Sequence, residues 1–339
     1  AKSLAVSWKL PATTTNVDSA GILAAAQQLM ANGPALVAEP APPAGYTPAT
    51  YAPVIEPTVA SAMGTPTVNA TYTLPYLAHA TMEVLNCTVD IRWSGATPLS
   101  CEIWAPTQGA SSVQANAAAL TGLPASQITV HTTFLGGGLG RKFEQDYVGQ
   151  AIQVAMAVKR PVKLTWSREE DFAHDQYRPF ALVNVKARLS SGRIATWSCR
   201  NVSQAILGQR GWLAPGAVDS QAVEGAVRLP YDLPTRLVEW VPLPAGIPVG
   251  FWRSVGTSIN AFAVESMMDE LALAAGADPF AFRYDHLANS PRVNAVLWAA
   301  AIMSSSWRKA LPAGHAWGVA IAESFGTVVC EVVEISQPS

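Results

Sequence analysis

Apolar residues along this chain recur on two periods. Near the amino end, Val17, Ile22, Ala25, Leu29 and Met30 share one side of a helix predicted over Val17–Met30, with Asp18 and Ser19 at its start. A connector from Gly33 to Thr67 follows, with eight prolines and few charges; its Tyr46, Tyr51, Val54 and Ile55 suggest extended chain pinned along a larger body. Alternation then predicts strands at Thr67–Tyr72 and Cys87–Trp93 and a short one at Glu102–Trp104. Ser111–Leu120 reads as a helix ending near Gly122, residues 127–134 as a strand, and Phe143–Val158 as a helix that Pro161 stops. Val162–Trp166 is a strand, and Ser167 caps a helix with Glu170 as its box partner. Phe180–Leu189 and Arg193–Ser203 alternate on either side of Ser190–Ser191–Gly192, a hairpin signal. After an irregular stretch, 204–231, come a strand over Leu237–Val241 and helices over Thr257–Ala275 and Pro279–Asn289. Lys2–Trp8 reads as the end of a strand, and Gly326–Ile335 alternates up to Gln337–Pro338–Ser339. Both suggest a fragment of a larger subunit. With no fixed-period repeat, the pattern predicts an α+β fold of mixed sheets with packed helices.

Composition adds bounds. A chain of 339 residues exceeds the size at which one core stops growing, so at least two domains are expected. Half the residues are apolar and 14% are charged, which leaves much to bury and predicts partner surface. A net charge of −2 with both signs interspersed excludes a nucleic-acid-binding stripe, so any anionic ligand must be gripped locally. The four cysteines form no C-x-x-C pair, which argues against an iron–sulfur cluster or structural zinc on this chain alone and leaves a disulfide open. Electrons released here would therefore need an acceptor on another chain. Neither a membrane-length apolar run nor a basic-then-apolar leader pattern occurs.

The chemistry gathers at Leu135–Tyr147, LGGGLGRKFEQDY. Gly136, Gly137, Gly138 and Gly140 let backbone pass close to a ligand, and Arg141 and Lys142 follow at once, which suits a bulky anion. The spacing is neither a dinucleotide fingerprint nor a P-loop, and a tight strand-to-helix turn is the plain alternative. Arg253, in GFWRSVG just before a helix, either offers a rigid fork of donors to a ligand or closes an internal bridge with Glu265 or Asp269. Gln108, in WAPTQ, either meets a polar ring edge or closes its own turn. His79 and Glu83 sit four apart without the third ligand of a zinc protease, and His79 is read as a satisfied structural histidine.

In this order, PYLAHATMEVLNC (Pro75–Cys87), WAPTQ (Trp104–Gln108), LGGGLGRK and GFWRSVG, continuing to Met268–Asp269–Glu270–Leu271, the chain resembles the molybdopterin-binding large subunit of the xanthine oxidase family of molybdenum hydroxylases, over about residues 60–335. Within it the sequence looks most like isoquinoline 1-oxidoreductase beta subunits, then aldehyde dehydrogenase large subunits. The resemblance implies the molybdenum-cofactor-binding fold of that family. It divides the chain into residues 1–66, the end of a preceding α/β domain with the connector, 67–290, a first molybdopterin-binding domain, and 291–339, the start of a second. It implies that Gln108, Gly136, Gly137, Gly138, Leu139, Gly140, Arg141 and Arg253 contact the cofactor, and that Leu77, Leu139, Trp252 and Arg253 line the substrate pocket.

The implied cofactors are molybdenum, held through the pterin of molybdopterin cytosine dinucleotide, and [2Fe–2S] clusters on a small partner subunit. A chain supplying the rest of the large subunit and a cytochrome c complete the implied partners, at the periplasmic face of the inner membrane or, alternatively, in the cytoplasm. The implied reaction hydroxylates an electrophilic carbon of an N-heteroaromatic such as isoquinoline; aldehyde oxidation and a degenerate assembly subunit are the alternatives. Leu139 stands where the family more often has phenylalanine, and no glutamine falls within Tyr76–Glu83, where members often carry one, which argues against purines. The family's base, a glutamate near the far carboxyl end, has no counterpart here, since Glu323 matches an earlier segment.

Overall fold

Asp18 starts the first helix, its carboxylate accepting from the amide of Gly21 at 2.7 Å, and α1 runs over Ser19–Asn32. The computed structural model describes residues 17–39, 59–304 and 311–337. The strand expected over Lys2–Trp8 and the tyrosines of the connector lie outside the described residues. From α1 the chain forms β1 (Leu36–Glu39) and β2 (Val68–Leu74) and then leaves for a second body. There it builds β3 (Asn86–Ser94), β4 (Thr97–Ala105), α2 (Ala110–Thr121), β5 (Ile128–Thr132), α3 (Asp146–Val158), β6 (Val162–Thr165) and α4 (Arg168–Ala173). It returns as β7 (Ala181–Ser190), β8 (Arg193–Ser203), β9 (Thr235–Pro242), α5 (Thr257–Ala274), α6 (Pro279–Asp285), α7 (Pro291–Met303), β10 (His315–Ser324) and β11 (Thr327–Ser336). Two compact units result: the second comprises Pro75–Pro179 and Pro248–Val255, and the first holds the other described residues.

The first unit is built on a five-stranded sheet in the order β1-β9-β8-β7-β2, parallel only between β8 and β9. The β7–β8 hairpin turns through Ser191 and Gly192 at φ of 52° and 76°, where right-handed strand twist favours paired positive φ. Helix α5 contributes Ile259, Ala263, Met267, Met268 and Leu271 to one apolar cluster with Val183, Val185, Cys199 and Val238 of the sheet. A charged knot sits beside them. Arg283, fully buried, donates to Glu265 at 2.8 Å and Asp269 at 2.6 Å, and Glu265 also accepts from the Tyr231 hydroxyl and the Ile321 amide.

The second unit has a four-stranded sheet, β5-β4-β3-β6, with β4 and β5 parallel. Helix α2 makes that crossover and ends at Gly122 in the left-handed conformation, φ 73°, as the sequence predicts. Val113, Ala117, Tyr147, Val148, Ile152 and Ala155 of the helices share a core with Cys87, Val89 and Ile103 of the strands. Ser167 caps α4, accepting from the Glu170 amide at 3.2 Å. All four cysteines are free; burial pushes the thiols of Cys87 and Cys199 up to about 12 and those of Cys101 and Cys330 to about 11. Among the described residues no helix is long and apolar enough to cross a membrane.

Some elements exceed the sequence reading. Strand β4 has nine residues where three were expected, since its first half contains Pro98 and is held by pairing with β3 across a register shift. Strands β1 and β10 and helix α7 were not anticipated.

Candidate functional site

The motif segments fall within the second unit, apart from Gly256 at the end of GFWRSVG. Strand β5 ends at Thr132, and the chain passes Phe134 and Leu135 into the glycine loop before a single 3-10 turn over Arg141–Phe143 leads towards α3. Adding a Cβ to Gly140 would place it 1.5 Å from the Phe251 carbonyl oxygen, and its φ is 103°, so both space and backbone require glycine there. A Cβ on Gly138 would lie 2.5 Å from Oε1 of Gln108. The glycine loop therefore rests directly on GFWRSVG and on WAPTQ.

Gln108 braces the loop. Its Oε1 accepts from the Gly140 amide at 3.1 Å and its backbone amide donates to the Lys142 carbonyl at 3.0 Å, while its side-chain amino group has no partner among the described residues. The turn-closing reading and the ligand-facing reading are thus compatible, because the two ends of one carboxamide are used differently. At the tip of the loop the amides of Gly137, Gly138 and Leu139 make no hydrogen bond among the described residues. Leu139 itself holds φ 53°, a strained value for a residue with a Cβ, and is 37% exposed.

The two cations that follow turn inward. Arg141 is fully buried, pairs with both oxygens of Asp146 at 2.9 and 2.6 Å, and brings Nε to 2.9 Å from Asp175. Its guanidinium, expected from sequence to meet a ligand, instead serves the protein's own carboxylates. Lys142 is equally buried and bonds Glu83. Burial alone would raise the carboxyl of Asp175, but hydrogen bonds from His79 and the neighbouring Arg141 outweigh it and hold the group below its usual range.

His79 is engaged on both nitrogens: Nδ1 lies 3.0 Å from Asp175 and Nε2 3.0 Å from the Phe251 carbonyl. That carbonyl is the floor under Gly140, so His79 fixes the height of the loop. Beyond it, the Trp252 indole reaches the Ala78 carbonyl at 3.5 Å and lies 5.7 Å beneath the Arg178 guanidinium. Leu77, 39% exposed, bridges Arg178 next door. Arg253 is exposed and has no partner among the described residues; Glu265 and Asp269, its alternative partners, belong to Arg283. Ser254 and Val255 after it both hold positive φ, 64° and 43°, in a tight turn closed from the Val255 amide to the Trp252 carbonyl at 2.6 Å.

The motifs thus border one rim, at which the amides of Gly137, Gly138 and Leu139, the Gln108 amino group and Arg253 have no partner among the described residues. A cavity of about 730 Å³ lies in the first unit around Val37, Tyr231, Thr257 and Glu265 and includes no residue of the glycine loop, of WAPTQ or of the Pro75–Cys87 segment. Directed, unsatisfied donors identify a ligand site more specifically than volume does, so the rim is the candidate. Sequence reasoning missed Glu83, Asp175 and the structural use of Arg141. The one available signal was that buried cations next to glycines require carboxylates somewhere.

Comparison with known proteins gives the family. The molybdopterin cofactor-binding domain family matches residues 55–287, and the chain belongs to that family, related to the xanthine oxidase family. It is 29% identical over 233 residues to isoquinoline 1-oxidoreductase subunit beta of Brevundimonas diminuta, covering 66% of this chain and 29% of that protein. It is 28% identical over 219 residues to the aldehyde oxidoreductase molybdenum-binding subunit PaoC of Escherichia coli K12, covering 64% and 28%. The crystal structure of quinoline 2-oxidoreductase from Pseudomonas putida 86 shares the fold, with a TM-score of 0.64 at 19% identity over 79% of this chain and 36% of that one. The chain spans less than a third of the length of these curated relatives.

Proposed function

We propose that this chain carries the cofactor-binding part of a molybdenum hydroxylase large subunit, acting on N-heteroaromatic compounds. The observation that carries the reading is the row of unbonded amides at Gly137, Gly138 and Leu139, followed by two cations that are paired with the protein's own carboxylates. The donor set fits an anionic, ring-bearing cofactor. Backbone N–H groups accept no particular shape of anion but require close approach, which glycines permit; the free carboxamide end of Gln108 suits a ring edge with mixed donors and acceptors; Arg253 offers a planar fork. When bound, the molybdenum cofactor supplies a two-electron redox centre able to place a water-derived oxygen on an electron-poor carbon. The protein's own part is positional: preorganised amides orient an anion without reorganising, and Leu139 and Trp252 present apolar walls to a flat substrate.

On this reading Gln108, Gly136–Gly140 and Arg253 hold the cofactor, Leu77, Leu139, Trp252 and Arg253 face the substrate, and Arg141 contributes from beneath. Residues 67–290 form the first cofactor-binding domain and 291–339 begin the second. Electrons pass to [2Fe–2S] clusters on a separate small subunit. Two relatives are themselves named as subunits, which supports a divided enzyme. The cytosine dinucleotide form of the cofactor and a periplasmic location belong to the same proposal.

The test uses the natively purified, fully assembled complex. Stoichiometric molybdenum and released cytosine nucleotide are expected, with kcat/KM higher for isoquinoline-type rings than for aldehydes. Leu139→Phe should narrow the pocket and shift that ratio by about 1–3 kcal/mol against the bulkier rings. Absence of molybdenum and nucleotide would sink the enzymatic reading; a preference for aldehydes would redirect the substrate alone, and PaoC gives that outcome a concrete relative.

A further inference from the structure

We infer that Glu83 and Lys142 form a latch that sets the shape of the glycine loop, with Glu83 as a positioning residue. Glu83 meets the loop at both ends. Its backbone amide donates to the Gly136 carbonyl and its Oε2 accepts from the Gly136 amide, each at 2.9 Å, while the same Oε2 accepts from the ammonium of Lys142. Gly136 opens the loop and Lys142 lies two residues past its last glycine, so one carboxylate oxygen closes a ring of backbone that contains the three unbonded amides.

The other groups around Glu83 complete the assignment. Asn86 donates to Oε1 at 3.1 Å, and Thr81 donates to the Glu83 carbonyl at 2.8 Å. The Lys142 ammonium is fully buried and Glu83 supplies its carboxylate; the Lys142 carbonyl is held in turn by the Gln108 amide and the Thr107 hydroxyl. Burial would raise the Glu83 carboxyl, yet the Lys142, Gly136 and Asn86 hydrogen bonds lower it overall. Glutamate four residues after His79 looks like half a metal site in sequence; here its side chain does the opposite work, binding a cation of the protein so that the loop's donors stay open.

A buried pair in a core would lower global stability when broken. A latch instead loosens the loop and leaves the surrounding sheet in place. The experiment is hydrogen exchange by mass spectrometry on the fully assembled complex, following peptides from 136–143 against peptides from 86–105, with molybdenum content measured in parallel. In Glu83→Gln and in Lys142→Met the loop peptides should exchange faster by about tenfold or more, the size of one charge-assisted hydrogen bond, while the strand peptides stay unchanged. Lys142→Arg keeps the charge and should stay near the parent rate, which keeps the inference open to test if Glu83→Gln fails to assemble. Unchanged loop exchange in both uncharged variants overturns the latch. The step from latch to ligand rests on the cofactor reading proposed above, and the two fail separately: faster exchange with full molybdenum content upholds the latch and counts against cofactor binding by the loop.

Discussion

In the first unit the buried Arg283 and Glu265 and the half-exposed Asp269 tie α5, α6 and β10 together beside aliphatic side chains; in the second the buried Arg141, Lys142 and Asp175 and the partly exposed Glu83 lie against a run of glycines. In both, fully buried cations are matched by one buried and one partly exposed carboxylate. What differs is what the pairs hold: regular elements that would stay regular without them, or an irregular loop whose backbone has no ladder of its own. Charge buried under a loop takes the place of secondary structure, which is why the loop can leave three donors unsatisfied at its tip.

The comparison can be broken most severely at its first member. Arg283→Met strands Glu265 without its cation and should cost about 3–5 kcal/mol in denaturant unfolding; a loss under about 1 kcal/mol would mean the knot is decorative. Gly140→Ala should come next, at least about 2 kcal/mol, because a methyl group would collide with the Phe251 carbonyl at a backbone angle alanine resists. The thermal transition of Gly140→Ala set against Gly192→Ala, where space is open and only φ is unfavourable, separates the collision from the backbone term.

Acid sharpens the contrast, since the two knots respond with opposite sign. Asp175 is held below its usual range, so its contribution is fully present above the unfolded value of about 3.9 and is lost as pH falls through the lower folded value. Glu265 is raised by burial, which the Arg283 charge only partly offsets, so its carboxylate is a burden at neutral pH that protonation relieves as pH falls through the raised value. Stability measured from pH 7 down to pH 3 should therefore fall less steeply on the acid side in Asp175→Asn than in the parent, and more steeply in Glu265→Gln. Parallel curves for all three would contradict the assignment. Smallest of all, Arg253→Ala should change stability by no more than about 0.5 kcal/mol, being exposed and unpaired, while lowering molybdenum retention in the assembled complex.

Much of this was legible in sequence where the signal is local. Gly122 after α2, Ser167 with Glu170, Ser191–Gly192 in the hairpin and the apolar face of α5 each fixed an element by its own chemistry. Strand β10, HAWGVAIAES, is poor in strand formers and owes its conformation to full pairing with β11. Helix α7, PRVNAVLWAAAIM, is apolar nearly all round and so shows no stripe, although Pro291 after Ser290 is a start signal. Strand β1 takes its register from β9, some 200 residues later, with nothing beside it to announce it. At the site, sequence found the segments but not the direction of the side chains. Whether Arg141 faces a ligand or the interior depends on Asp175, and Asp175 is reached only through the fold.

The Phe251 carbonyl, which carries Gly140 and receives His79, also has a date. It belongs to the return segment Pro248–Val255, made only after residues 180–247 of the other unit have been synthesised. Until then the growing chain has every glycine of the loop and none of its floor, so a nascent chain halted near residue 245 should show the loop open to protease and one halted well beyond Val255 should show it closed. Loading of any cofactor is thereby placed late, after most of this chain has emerged, as a property of the order in which its segments arrive.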